Sequence, residues 1–90
     1  KIMTCQPKAL DLFTTSDLGI AVYLFTIGHE LKDSTLHGPR RLAFHFKSMP
    51  DTEVQVGRYL NETGMAPAKR LFENYRALRA LAFERTGNLR

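Results

Sequence analysis

The stretch 13-FTTSDLGIAVYLFTIGHEL-31 decides the fold, because its apolar run can be read either as a buried strand or as a capped helix. Ile20, Val22, Tyr23 and Phe25 suit a sheet. The flanks argue for a helix. Thr15 or Ser16 can accept a hydrogen bond from an unpaired amide of a first turn. Asp17 adds negative charge at the positive end of the helix dipole, and Gly28 can adopt the left-handed conformation that ends a helix. These caps frame a helix from Asp17 to Ile27, a common length. Between them Leu18, Ile20, Ala21, Val22, Tyr23, Leu24, Phe25 and Ile27 fall all round the helical wheel, so this helix must be covered on most sides.

Downstream, 29-HELKDSTL-36 and 40-RRLAFHFK-47 are separated by a turn signal built on Gly38 and Pro39, which predicts a β-hairpin. Leu42, Phe44 and Phe46 alternate onto one face of the second strand, and Arg41, Ala43, His45 and Lys47 onto the other. Leu31 and Leu36 in the first strand have opposite parity, so a bulge or an early strand end is expected there. The segment 48-SMPDTEVQVGRYLNETG-64 predicts a second, shorter helix with Asp51 and Glu53 in its first turn. Its apolar positions are Val54, Val56, Tyr59 and Leu60, Gly57 weakens it, and Gly64 closes it. The clearest helix is 66-APAKRLFENYRALRALAFER-85. There Leu71, Tyr75, Leu78 and Ala82 form one apolar stripe, Ala68, Phe72 and Phe83 widen it, and Gly87 is its stop.

With a short strand near Leu10 to Thr14 in front, the order predicts an α+β fold: a small antiparallel β-hairpin or three-stranded sheet packed against about three helices. No repeat, linker or low-complexity tract divides residues 1–90, which read as a single small domain whose first nine residues are an arm or an edge strand. The chain opens on Lys1 rather than Met, as an excised or processed fragment would.

At 90 residues the core has to be small, and one cysteine, Cys5, can make no internal disulfide. The longest apolar run, Leu18 to Ile27, is about half of what a bilayer span needs and has no charged leader, so the expectation is a cytoplasmic protein with no membrane partner. Thirteen Lys and Arg against nine Asp and Glu give a net charge of +4 and a pI near 9.6, a mild bias towards anionic partners.

Catalysis is not expected. Cys5 sits in the arm, no Gly-rich turn surrounds a serine, and no Walker loop or dinucleotide fingerprint is present. The carboxylates fall mainly in caps, turns and exposed positions. His29, His37 and His45 form no HxH or HxxxH pattern, so neither a metal nor any other cofactor is expected, and His29 reads as a cap on helix carbonyls or a partner of Glu30. Phe44 and Phe46 share their face with Leu42 and read as core, while Arg41, His45 and Lys47 on the other face could meet phosphates if nothing covers them. In the last helix, Arg79 falls inside the apolar stripe, where its head would need a carboxylate, a helix-end carbonyl or a ligand.

The residues Phe13, Thr15, Ser16 and Asp17, then Tyr23 and Leu24, then Gly28, His29, Glu30 and Leu31, then Phe44 and Phe46 spell F-x-T-S-D, Y-L, G-H-E-L and F-x-F. In this pattern the chain resembles a small prokaryotic and phage family known only as a domain of unknown function, over about residues 13–62 and more loosely beyond. The resemblance implies a compact α+β module of bacteria or mobile elements and carries no catalytic residues with it.

Two functional readings remain open. One is a small basic accessory module that binds nucleic acid or another polyanion through Arg40, Arg41, His45 and Lys47 on the hairpin and Lys69, Arg70, Arg76 and Arg79 on the last helix. The alternative is a homo-oligomeric interaction domain that buries surplus apolar side chains, Phe25, Tyr59 and Phe83 among them, between subunits.

Overall fold

The apolar run is a helix. The computed structural model describes residues 12–36, 38 and 41–86, in the order β1 (Leu12–Thr15), α1 (Leu18–Thr26), β2 (Leu31–Leu36), β3 (Leu42–Lys47), α2 (Thr52–Leu60) and α3 (Ala68–Thr86). Asp17 is the N-cap itself: its Oδ1 accepts from the Ile20 amide at 3.1 Å, and Thr15 Oγ1 accepts from the Asp17 amide. At the other end Gly28 has φ +112°, and the Gly28 and His29 amides donate back to the Phe25 and Leu24 carbonyls. That pair of bonds is a Schellman motif, which requires the positive φ that glycine accepts without strain.

The three strands form one antiparallel sheet in the order β1-β3-β2, with β3 in the middle. Because β1 and β2 both run antiparallel to β3, they are parallel to each other, and α1 is the crossover between them. The parity conflict in β2 is resolved by a register shift between Leu31 and Asp33, which brings Leu31 opposite Phe46 and Leu36 opposite Leu42 on the same face. Leu42, Phe44 and Phe46 turn inward and meet Ala21, Val22, Tyr23, Leu24 and Leu78 in a single core. All the helices therefore pack on one side of the sheet, and the side bearing His45 faces away from them.

Two helices depart from their sequence pattern. In α2 only Val56 of the expected apolar positions packs on the core; Val54, Tyr59 and Leu60 are exposed, and the buried residue is Thr52. Nor does Gly64 close this helix. Glu62 takes the left-handed conformation (φ +61°), and the Glu62 and Thr63 amides donate to the Tyr59 and Arg58 carbonyls. Gly64 is needed for another reason: a Cβ there would lie 2.6 Å from the Tyr23 hydroxyl.

In α3 the packed face is rotated by roughly 40° from the expected stripe, at about 100° per residue. Leu71, Leu78, Leu81 and Ala82 pack inward, whereas Phe72 and Tyr75 are 66% and 42% exposed. Polar partners explain the rotation. Asn74 Nδ2 donates to Thr26 Oγ1 at 3.0 Å and Arg85 donates to Ser34 Oγ at 2.9 Å, so both polar residues face the core side of the helix. Arg79 lies outside the packed face, with its guanidinium 4.6 Å above the ring of Phe83, and has no acidic partner among the described residues.

Candidate functional site

Three surfaces carry the chemistry-bearing side chains. The first is a polar cleft of about 450 Å³ where the end of α1 meets α2, lined among others by Tyr23, Gly28, His29, Asp51, Gln55 and Arg58. The Schellman turn swings His29 inward until it is only 6% exposed, and its Nε2 lies 2.9 Å from the equally buried Thr52 Oγ1. Thr52 Oγ1 also accepts the Met49 amide at 2.7 Å. Burial holds the His29 pKa below the ordinary imidazole value of 6.5, against the pull of Asp51, because a dry imidazolium loses its hydration. The expected roles thus change hands: the backbone amide of His29 does the capping, and Glu30 pairs instead with Lys32 at 3.3 Å. Across the cleft the Tyr23 hydroxyl donates to Gln55 Oε1, whose amide nitrogen donates to Asp51 Oδ2.

The second surface is the outer face of the sheet. Here His45 occupies the middle of the central strand, with Nδ1 2.8 Å from Thr14 Oγ1 on β1 and Nε2 2.8 Å from Thr35 Oγ1 on β2. Both ring nitrogens are engaged by threonine hydroxyls of the two flanking strands, so the ring serves as a cross-sheet tie. Phosphate contact through either nitrogen of His45 would cost the threonine bond that nitrogen makes. Arg41 and Lys47 are exposed near the two ends of β3, about 20 Å apart at roughly 3.3 Å per residue. Arg40 and His37 lie outside the described residues.

The third surface is the solvent side of α3. Lys69, Phe72, Arg76, Arg79 and Phe83 are spaced by three, four, three and four residues, so they form one row of three cations and two rings, with Tyr75 beside it. Lys69 has Glu73 at 3.7 Å; Arg76 and Arg79 have no carboxylate within ion-pair distance among the described residues. Where the row meets α1 and α2, Gly19, Val22, Tyr59, Leu71, Phe72 and Tyr75 line an apolar groove of about 320 Å³. Arg70 is exposed on the opposite flank of α3, away from this row.

The eight basic positions singled out in the sequence are therefore divided. Lys69, Arg76 and Arg79 come together, Arg70 stands apart on the same helix, and Arg41, His45 and Lys47 occupy the sheet face turned away from the helices. Sequence reading missed the aromatic half of the row, since Phe72 and Tyr75 fit a core stripe equally well by spacing. The usable signal was Asn74 beside them, a polar residue that can be buried only with a partner.

Residues 10–84 match the family described as "Domain of unknown function (DUF5659)". No curated protein and no solved structure matches the chain. The chain belongs to that family, a domain of unknown function as the resemblance implied, and the family description assigns no activity.

Proposed function

We propose that this DUF5659 chain is a small, non-catalytic binding module for nucleic acid or a comparable polyanion, working through the solvent side of α3. One observation carries the reading: Lys69, Arg76 and Arg79 share a row with the exposed ring of Phe72, and the two arginines have no carboxylate within ion-pair distance among the described residues. Exposed guanidinium groups that fold into no ion pair keep their donors for phosphate oxygens, to which their planar fork is matched. The net charge of +4 works in the same direction at longer range. Arg41 and Lys47 contribute to that field rather than to the contact surface.

Fluorescence anisotropy with labelled oligonucleotides tests this. Three phosphate contacts give a log–log salt slope of about −2 to −3 and weak, sequence-tolerant binding. Arg76→Gln or Arg79→Gln should weaken binding and flatten the slope by about 1, while Arg70→Gln on the other flank should leave the slope nearly unchanged. Absence of binding at about 50 mM salt would refute the reading.

The apolar groove beside Tyr59 supports a second reading, in which the same surface joins two copies of the chain. Sedimentation at the concentrations used for binding separates the two: a dimeric mass that Phe72→Glu converts to a monomer, with no oligonucleotide bound, would favour self-association.

A further inference from the structure

Resting on the polyanion reading, we infer that the ligand of the α3 surface is single-stranded nucleic acid, with unpaired bases stacked on Phe72, Tyr75 and Tyr59. Three features of the surface point there. First, cations and rings share one row: Lys69, Phe72, Arg76, Arg79 and Phe83 extend along about 21 Å of helix at 1.5 Å per residue, roughly six stacked base steps at 3.4 Å. A surface for phosphates alone has no use for rings two-thirds exposed to water, as Phe72 is, and leaving them there costs burial that the fold could have gained.

Second, the groove between Phe72, Tyr75 and Tyr59 is short and apolar, with glycine at its floor. Tyr59 covers Gly19 of α1, its hydroxyl standing where a side chain would begin, and the tyrosine is still 36% exposed beside Phe72 and Tyr75. Paired bases in a duplex present only their edges, and they cannot offer a face to these rings without unstacking. Third, the Arg79 guanidinium sits over the ring of Phe83 at 4.6 Å, a contact that holds it in the row without using its N–H groups, which remain for phosphate.

An acidic polypeptide would also find cations here. It would need a long trough for the side chains of a helix or strand, whereas the apolar groove is about 320 Å³ and the rest of the row is the convex surface of one helix.

The experiment compares four probes at one low salt concentration: an oligothymidine, a duplex of the same length, inorganic polyphosphate and polyglutamate. The full chain and its Phe72→Ala, Tyr59→Leu and Phe72→Trp variants are used. Phe72 is 66% exposed, so its replacements leave the core intact, and circular dichroism with urea unfolding checks that Tyr59→Leu, which gives up the contacts with Tyr23 and Gly19, stays folded. The single strand should bind best, and Phe72→Ala should weaken it by about five- to 150-fold while changing polyphosphate binding less than twofold. In Phe72→Trp, the only tryptophan of the chain, fluorescence should be quenched by oligothymidine and left unchanged by polyphosphate.

If duplex and polyphosphate bind as tightly as the single strand and Phe72→Ala is neutral, stacking is disproved while the polyanion reading stands. Polyglutamate binding equal to oligothymidine, with the same dependence on Phe72, overturns the inference in favour of an acidic protein partner. Failure of every probe to bind removes both.

Discussion

Tyr59 reaches across from α2 to the backbone of Gly19 on α1 and fills the space a side chain there would take, just as Tyr23 does at Gly64. The two tyrosine rings lie side by side, 5.5 Å between centroids and tilted by 35°. The pairs respond differently to a methyl group, because Tyr59 is 36% exposed and Tyr23 only 5%. In Gly19→Ala the Tyr59 side chain can swing outward, and the helix propensity of alanine offsets part of the loss, so stability should change by less than about 1 kcal/mol. In Gly64→Ala the methyl meets a ring locked in the core and tied to Gln55, at a cost of about 1–3 kcal/mol. Urea unfolding of both variants measures this, and equal losses would refute the difference in freedom assigned to the two rings.

His29 makes stability depend on pH. Its folded pKa lies below the unfolded value near 6.5, chiefly because it is buried, so the native state takes up its proton later than the unfolded state does. Stability is then fully present above pH 6.5 and declines as pH falls from 6.5 towards the folded pKa, below which this contribution is flat. Unfolding free energies measured between pH 7.5 and 5 should fall, and His29→Gln should lose this part of the slope. An imidazole titration by NMR that places the His29 midpoint at or above 6.5 would rule the account out.

Glu62 ends α2 in a conformation that costs a residue with a side chain about 1–2 kcal/mol and costs glycine almost nothing. Glycine also gains freedom in the unfolded chain, which removes part of the benefit. The expected net effect of Glu62→Gly is a stabilisation of about 0.5–1 kcal/mol, visible as a higher urea midpoint at unchanged slope. A destabilised Glu62→Gly would mean that the Glu62 side chain does something the geometry does not reveal.

Much of the fold is legible in the sequence because the governing signals are local. The Asp17 and Gly28 caps, the two-residue alternation of Leu42, Phe44 and Phe46, and the parity conflict between Leu31 and Leu36 each fix an element or an irregularity from its own few residues. What is hidden depends on partners far along the chain. His29 goes inward because it finds a hydrogen-bond partner in Thr52, 23 residues away, and α3 is rotated because Asn74 and Arg85 find Thr26 and Ser34. Spacing alone cannot distinguish a helix that buries Tyr75 and Phe72 from one that buries Asn74, and the aromatic half of the candidate surface was lost on that point. Thr14 and Thr35 are similarly invisible as partners of His45 until the three strands are aligned.

The Asn74–Thr26 bond gives the rotation of α3 a direct test. Thr26 Oγ1 donates its hydrogen to the Val22 carbonyl at 2.7 Å and accepts from Asn74 Nδ2 at 3.0 Å, inside the α1–α3 interface. Asn74→Asp removes the donor and sets a carboxylate oxygen against a hydroxyl whose hydrogen is already used. It should cost about 1–3 kcal/mol. Replacing both partners, as in Thr26→Val with Asn74→Leu, removes the polar pair together and leaves apolar groups of similar size. That double variant should be nearly as stable as the parent, with a coupling of at least about 1 kcal/mol in the double-mutant cycle. If the single changes instead add up to the double, the bond does not set the face that α3 presents. Phe72 and Tyr75 would then owe their exposure to the apolar packing of Leu71, Leu78 and Leu81 alone, and the aromatic row would survive any change at Asn74.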